Sequence, residues 1–431
     1  MEYLEIWVLV ISFVALLILG VPIAYSIGIS GTLTLLINVM PLPAFTTFSQ
    51  RMATGLDSFA LLAIPFFILA GQLMNQGGIA LRLIDFAKVL VGRLPGGLAF
   101  VNVMANMLFG AISGSAAASA SAIGSFMTPK MVEEGYDKPF AAAVNITSAT
   151  TGLVIPPSNI LIVYSLASGG VSIAALFIAG YVPGILTGLL LMGVAAAYAY
   201  RKNYPVGETT GFRTGVMKFL DAIPSLMLLV IVIGGILAGI FTATEASAIA
   251  VLYALILALI YGEVKLAHIP SILLKSVRVT SIVLLLVATS MGMSWVMSFA
   301  NIPQNVSAGL LSISTNVIVI LLIINLILLF VGIFMDMTPA VLIFTPIFLP
   351  IVADLGIDPV HFGIIMVVNL TVGLCTPPVG SLLFIGCSVA DLSIMKVIRP
   401  LMPFFIAMIV ALMLITYIPA ISLWLPGVFG Y

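Results

Sequence analysis

The sequence predicts an all-α polytopic membrane protein that is built from two related halves. Only 7% of its 431 residues are charged, 62% are hydrophobic, and the mean hydropathy is +1.31. A typical soluble domain carries roughly 25% charged residues, so this composition suits a chain surrounded by lipid. The apolar runs last about 20 residues, which is the length of a membrane-spanning helix, whereas barrel strands are shorter and alternate.

Composition also excludes several classes of protein. The formal net charge is zero and the charges are scattered, so the chain offers no basic surface to a nucleic acid. Two cysteines and two histidines are too few for a disulfide framework or a cysteine-based metal cluster. Since the chain lacks a Gly-x-x-x-x-Gly-Lys-Ser/Thr loop, it is not expected to be an ATP-driven pump by itself.

An internal repeat divides the chain into residues 1–205 and 206–431. Residues 150–157 (TTGLVIPP) recur as residues 371–378 (TVGLCTPP), at an offset of 221 residues (371 − 150). Pro129 and Gly135 match residues of the second half at the same offset. Self-similarity of this kind predicts that both halves fold into the same series of elements.

Each half is predicted to hold five membrane crossings and one re-entrant helical hairpin. The first hairpin covers residues 98–131 and is interrupted by the small residues 110–118, and the second covers residues 319–351 with its tip near Asp336. Each hairpin is followed by a span broken at a double proline, about residues 139–166 and 361–386. An ordinary packing helix rich in small residues is the alternative to each hairpin.

The basic residues predict that the second repeat is inverted relative to the first. Five crossings is an odd number, and lysine and arginine stay on the cytoplasmic side of a membrane. With both termini outside, all 15 basic residues except Arg51 fall in predicted cytoplasmic segments. Inverted repeats with broken helices are typical of secondary transporters, whose sites lie near the membrane midplane.

Oxygen atoms at the two broken spans predict a site for a small hard cation such as Na⁺. A proline leaves the carbonyl four residues earlier without its donor, so Pro156 and Pro157 free the carbonyls of Gly152 and Leu153, which must then face a cavity or an ion. Hydroxyl and amide side chains gather at the same depth, among them Asn145, Thr147, Ser148, Thr150, Thr151, Ser158, Asn369, Thr371 and Thr376. The alternative is that the hydroxyls bond to the backbone of their own helices.

Two acidic residues receive different interpretations. Asp336 is the one carboxylate at a predicted hairpin tip, so it is a candidate Na⁺ ligand or proton carrier, or else the cap of the returning helix. Glu245 is expected in the first turn of its span. Since no lysine or arginine falls in a predicted membrane interior, an anionic substrate would be held by Na⁺, hydroxyls and the positive ends of half-helices.

These motifs resemble the large membrane subunit of the tripartite ATP-independent periplasmic (TRAP) transporters. The resemblance runs in register along nearly the whole chain. It is carried by residues 113–118 (SGSAAA), 129–137 (PKMVEEGYD), 155–158 (IPPS), 244–246 (TEA), 358–363 (DPVHFG) and 376–380 (TPPVG).

The resemblance implies an elevator-type secondary transporter that uses a Na⁺ gradient to move a small organic acid into a bacterium. C4-dicarboxylates and sialic acid are the substrate classes it suggests. The implied partners are a small four-helix membrane subunit, a periplasmic substrate-binding protein and membrane lipids. Because the chain begins directly with the large-subunit pattern, the small subunit is expected as a separate chain. The implied location is the bacterial inner membrane, with periplasmic termini, and neither an enzyme activity nor an organic cofactor is expected.

By position, the resemblance implies two Na⁺ sites and a substrate site between the hairpin tips. The first Na⁺ site would be formed by Ser113, Gly114, Ser115, Asn145, Gly152 and Pro156, and the second by Gly332, Asp336, Gly373 and Thr376. The substrate would contact Ser115, Thr150, Pro157, Ser158, Asn369 and Pro378.

Other functions stay open at this point. A self-sufficient Na⁺- or H⁺-coupled organic anion symporter would carry similar hairpins but transport without a soluble binding protein. A passive channel would need a continuous polar lumen. An intramembrane protease would need an activating base or a second aspartate at the depth of Ser113 or Asp336, and the sequence offers neither.

Overall fold

The computed structural model describes residues 4–76, 78–205, 211–377 and 379–431, without the side chain of Phe212. This described part of the chain is helical and contains no β-strand. Pro378 lies outside the described residues.

The first half contains eleven α-helices among its described residues. They are α1 (Leu4–Ile18), α2 (Ile23–Leu35), α3 (Pro41–Leu56), α4 (Ala63–Gln76), α5 (Ile79–Val91), α6 (Gly97–Ser113), α7 (Ala116–Glu133), α8 (Lys138–Ala149), α9 (Thr151–Val154), α10 (Asn159–Ala167) and α11 (Ile173–Lys202). A short 3₁₀ helix, Phe59–Leu62, leads directly into α4.

The second half contains ten α-helices among its described residues. Its helices are α12 (Phe212–Leu237), α13 (Ala243–Ile260), α14 (Ile269–Phe299), α15 (Ile302–Ile313), α16 (Val317–Phe334), α17 (Met337–Asp354), α18 (Pro359–Leu374), α19 (Ser381–Val389), α20 (Ile394–Tyr417) and α21 (Ala420–Val428). A 3₁₀ turn, Leu266–His268, precedes α14.

The lengths and composition of these helices confirm the polytopic all-α fold class. Eight helices in the described part are long and apolar enough to cross a membrane, or nine if a bent pair counts as one span. The bent pair joins Lys138–Val154 to Asn159–Ala167 at an angle of 50°, and the double proline lies in this bend. The inverted orientation of the second half stays a prediction.

Each predicted hairpin consists of two helices separated by a two-residue turn. Gly114 and Ser115 separate α6 from α7, and Met335 and Asp336 separate α16 from α17. In both cases the two helices contact each other. The first helix of each hairpin packs on the broken span of its own half, α6 on α8 and α9, and α16 on α18.

A second group of helices packs beside the hairpins. In this group α4 packs against α13 and α14, and α14 packs against α2 and α3. The start of α13 confirms the role expected for Glu245, because Thr242 and Glu245 form a reciprocal capping box. The hydroxyl of Thr244 donates to the carbonyl of Phe59 at 3.0 Å, which ties α13 to the segment that leads into α4.

Reciprocal ion pairs join α5, which connects α4 to the first hairpin, to α12. Lys218 Nζ lies 2.9 Å from Asp85 Oδ1, and Arg82 Nε lies 3.5 Å from Asp221 Oδ2. In each pair, a basic residue of one helix therefore faces an acidic residue of the other. The Arg82 guanidinium also stacks on the Tyr261 ring, 3.5 Å from its centroid.

We predict that Lys218→Asp lowers the free energy of unfolding by roughly 1 kcal/mol, because it removes one ion pair and places two aspartates face to face. Adding Asp85→Lys to this variant restores the pair with reversed signs, so the melting temperature should recover. Lys396→Asp alters an exposed lysine that forms no ion pair with the described residues and is the matched control. Additive losses in the double variant would contradict pairing across these helices.

Candidate functional site

The first hairpin turns at a glycine in a left-handed conformation. Gly114 has φ +60°, a region that side chains rarely adopt, and it ends α6. Ser115 then begins α7 in an extended conformation, and its hydroxyl oxygen accepts from the amide of Ala118 at 3.2 Å. The turn therefore uses Ser115 as the N-cap of α7.

The second hairpin turns at an extended pair of residues. Met335 ends α16 with φ −118°, and Asp336 occupies the N-cap position of α17. Asp336 therefore holds the N-cap position without a side-chain hydrogen bond to the second or third amide of α17, and its role as a cap, a Na⁺ ligand or a proton carrier stays a prediction. Asp336 is one of the residues that line a cavity.

Both turns line one cavity of about 570 Å³. The first hairpin contributes Ser113, Gly114 and Ser115, and the second contributes Asp336 and Thr338. Residues of α4 and α14 line it as well. The cavity therefore lies where the hairpins of both halves meet the second group of helices.

Four helices begin at the cavity wall. Lining residues fall in the first turns of α7, α10, α17 and α19, including Ala116, Asn159, Met337 and Ser381. The first amides of a helix lack partners within the helix and carry a partial positive charge. Among the described lining residues, Asp336 is the one formally charged side chain, so any attraction for an anion comes from these helix ends or from a bound cation.

Paired glycines bring each hairpin into backbone contact with its broken span. A Cβ atom added at Gly152 would lie 2.2 Å from the Cα of Gly110. In the other half, a Cβ atom added at Gly373 would lie 2.7 Å from the Cα of Gly332. Both separations are shorter than any real Cβ contact, so only glycine permits this approach of α6 to α9 and of α16 to α18.

Buried carboxamides support the same two junctions. Asn106 Nδ2 lies 2.9 Å from Ser148 Oγ and 3.1 Å from Asn145 Oδ1, which links α6 to α8. In the second half, Asn369 Nδ2 donates to Asn325 Oδ1 at 2.7 Å, which links α18 to α16. Asn145 and Asn369 therefore lie in the layer behind the cavity wall.

Most hydroxyl groups at the broken spans donate to their own backbone. Thr150 Oγ1 donates to the carbonyl oxygen of Thr147 at 2.6 Å, and Thr376 Oγ1 donates to the carbonyl oxygen of Val372 at 2.9 Å. The carbonyl of Leu153 accepts from the hydroxyl of Ser158 at 2.5 Å, and Leu153 is also one of the residues that line the cavity. Each such hydroxyl oxygen keeps lone pairs that can bind a cation.

The cavity thus brings together only part of the predicted site. The predicted residues that line it are Ser113, Gly114, Ser115 and Asp336. Those that lie outside its lining are Asn145, Thr150, Gly152, Pro156, Pro157, Ser158, Gly332, Asn369, Gly373 and Thr376.

Several polar lining residues were not predicted from the sequence. They are Gln72 and Asn75 of α4, Ser121 of α7, Asn159 of α10 and Ser381 of α19. Carboxamides within an apolar span were an available signal for Gln72 and Asn75. Asn159 directly follows the double-proline motif, and its buried side-chain oxygen has no hydrogen-bond partner among the described residues.

Comparison with known proteins gives a family match over nearly the whole chain. The family model described as "Tripartite ATP-independent periplasmic transporter, DctM component" matches residues 10–421. The chain is 59% identical over 430 residues to YgiK of Salmonella typhimurium, and this alignment covers 100% of the chain and 99% of YgiK.

Two further relatives carry transport names. The C4-dicarboxylate TRAP transporter large permease protein DctM of Pseudomonas aeruginosa is 40% identical, covering 94% of each chain. The sialic acid TRAP transporter large permease protein SiaM of Vibrio cholerae is 37% identical, covering 98% of this chain and 99% of its own.

A solved structure shares the fold. The YdaH transporter of Alcanivorax borkumensis superposes with a TM-score of 0.66 over 92% of this chain and 90% of its own, at 14% sequence identity. At this identity the likeness concerns the fold alone.

We predict that Gly152→Ala and Gly373→Ala each lower the free energy of unfolding by about 1–3 kcal/mol, because the added methyl group meets backbone atoms that cannot move aside. Thermal unfolding of the purified chain measures the effect. Gly193→Ala is the matched control in α11, where an added Cβ meets no atom within 4 Å, and it should leave the melting temperature equal or slightly higher. Equal melting of all three variants would contradict the tight glycine junctions.

Proposed function

Because this chain belongs to the DctM component family of the tripartite ATP-independent periplasmic transporters, we propose that it is the large membrane subunit of a Na⁺-coupled importer of a small organic acid. The chain is a multi-pass protein of the inner membrane. We further propose that a periplasmic binding protein delivers the acid, that a small membrane subunit is a separate chain, and that both termini are periplasmic.

The cavity shared by the two hairpin turns is the observation that carries this proposal. It presents four helix starts and several hydroxyl groups to a ligand, and its described lining contains no lysine, arginine or histidine. A carboxylate can be held by helix starts through their unpaired amides. A cation bound nearby would add to the attraction for the anion.

Sodium fits the donor set around the turns. The first turn offers the hydroxyl oxygens of Ser113 and Ser115, and the second offers the carboxylate of Asp336. The carboxamide oxygen of Asn145, which accepts from Asn106, lies behind the cavity wall. Oxygen donors suit a hard cation that needs no soft ligand. We propose at least two Na⁺ ions, one at Ser113–Ser115 with Asn145, Gly152 and Pro156, and one at Gly332 and Asp336 with Gly373 and Thr376.

The position of the cavity supports an inward-facing state. Its lining runs along α4 from Ile64 to Asn75, which is about 16 Å of helix. The end of α4 near Asn75 leads into the basic segment that contains Arg82, Lys88 and Arg93, which the charge distribution predicts to be cytoplasmic. We propose that the cavity opens to the cytoplasm in this state.

An elevator-like movement is compatible with this arrangement. The hairpins and broken spans are held together by glycine junctions and buried carboxamides, so they can move as one body. Among the described residues, fewer hydrogen bonds join α4 and α14 to the hairpin turns than join the hairpins to the broken spans. We propose that the hairpin body slides along this wall and carries the acid, with C4-dicarboxylates and sialic acid as the classes that the relatives' names suggest.

We predict that the purified chain melts at a higher temperature in NaCl than in KCl at equal ionic strength, and that Asp336→Asn loses much of this difference. A ligand that binds only the native state stabilises it by about 2.7 kcal/mol at 100 times its Kd. Asp354→Asn alters an exposed carboxylate at the far end of α17 and is the matched control.

A saturable rise that only sodium produces supports folded Na⁺ sites in the chain. Identical melting in both salts at every concentration would contradict sodium coupling through this chain. A rise on lowering the pH at fixed sodium, lost in the same Asp336 variant, would indicate proton coupling instead.

A further inference from the structure

The part of the cavity wall that α4 contributes changes its chemistry along the helix. Ile64, Ile68, Gly71, Gln72 and Asn75 line the cavity, and their spacing places them on one face of the helix. This face of α4 is apolar at Ile64 and Ile68 and becomes polar after Gly71. The two carboxamides therefore form a local polar wall, whereas the other residues of α4 that line the cavity are apolar.

Gly71 fixes this polar wall beside the first hairpin turn. A Cβ atom added at Gly71 would lie 2.8 Å from the carbonyl oxygen of Ser113, so α4 touches the turn at this level. Gln72 is the next residue after Gly71. Asn75 lies four residues after Gly71, which is about 6 Å along the helix axis. A ligand whose carboxylate sits at the helix starts of the turn would extend past Gln72 and Asn75.

The carboxamides of Gln72 and Asn75 have unused hydrogen-bonding capacity. Neither side chain bonds to any residue in the described part of the chain. A carboxamide offers two donor hydrogens and an acceptor oxygen, which matches a hydroxyl group that also donates and accepts. The neighbouring wall from α14 is apolar, with Val279 and Val283, so these two residues supply the polar contacts on this side.

The charges around the cavity disfavour a second carboxylate at the polar wall. The helix starts lie on the side of the hairpins and broken spans, while α4 and α14 contribute no basic side chain to the described lining. When the cavity closes, a carboxylate against α4 would lose water without gaining an opposite charge, which is costly. A hydroxyl group at the same place would be fully satisfied by the carboxamides.

We infer that Gln72 and Asn75 are specificity-determining residues for a polyhydroxylated monocarboxylic acid, such as a sugar acid. The inference rests on the proposed function, since it concerns the far end of the acid held in the same cavity. The carboxylate lies at the helix starts of the hairpin turns. The hydroxylated chain lies along the polar wall of α4.

The test compares D-gluconate with adipate, two acids of six carbons that differ in their hydroxyl groups and in a second terminal carboxylate. The melting temperature of the full chain is titrated with each acid in saturating NaCl. We expect D-gluconate to bind at least tenfold more tightly than adipate. Gln72→Leu and Asn75→Leu should each weaken gluconate binding about tenfold and leave adipate binding nearly unchanged.

Gln76→Leu removes a carboxamide from the same helix at a position outside the cavity lining and is the matched control. Equal or tighter binding of adipate overturns the substrate class. A preference for gluconate that survives both variants overturns the assignment to α4. If neither acid shifts the melting temperature although sodium does, the acid site itself is refuted, and the inference fails with the proposed function.

Discussion

The structure depends on two contacts in which helices meet backbone to backbone. Gly110 meets Gly152 in the first half, and Gly332 meets Gly373 in the second. In a membrane the hydrophobic effect adds little to helix association, so close packing and internal hydrogen bonds must hold the helices together. The glycine contacts provide the close packing, and the carboxamides Asn106 and Asn369 add hydrogen bonds beside them.

These junctions determine the electrostatics of the cavity. Because each hairpin lies on its broken span, the starts of four helices reach the same space, next to Asp336, which is the one acidic residue in the described lining. The site can then attract an anion without a basic side chain that would hold it permanently. Its oxygen atoms are also available to a cation, as the proposed Na⁺-coupled transport of an acid requires.

The sequence predicted the parts of this arrangement that depend on local chemistry. Gly114, Asp336, the double prolines and the capping residue Glu245 each have a backbone or solvation requirement that can be read from their neighbours. Gln72, Asn159 and Ser381 were missed because their role depends on which helices meet across the cavity. The hydroxyl of Ser158 satisfies the carbonyl of Leu153, a geometric detail that the residue types alone left open.

The most direct test of the account is whether both hairpin turns face the same aqueous space. Ser115→Cys and Thr338→Cys place one thiol at each turn, and both native cysteines, Cys375 and Cys387, are buried. A membrane-impermeant thiol reagent is applied to intact cells and to inside-out vesicles. The account predicts that the two variants share one pattern of labelling and that both react from the cytoplasmic side in the inward-facing state. Labelling of one turn only from outside and of the other only from inside would contradict a shared site.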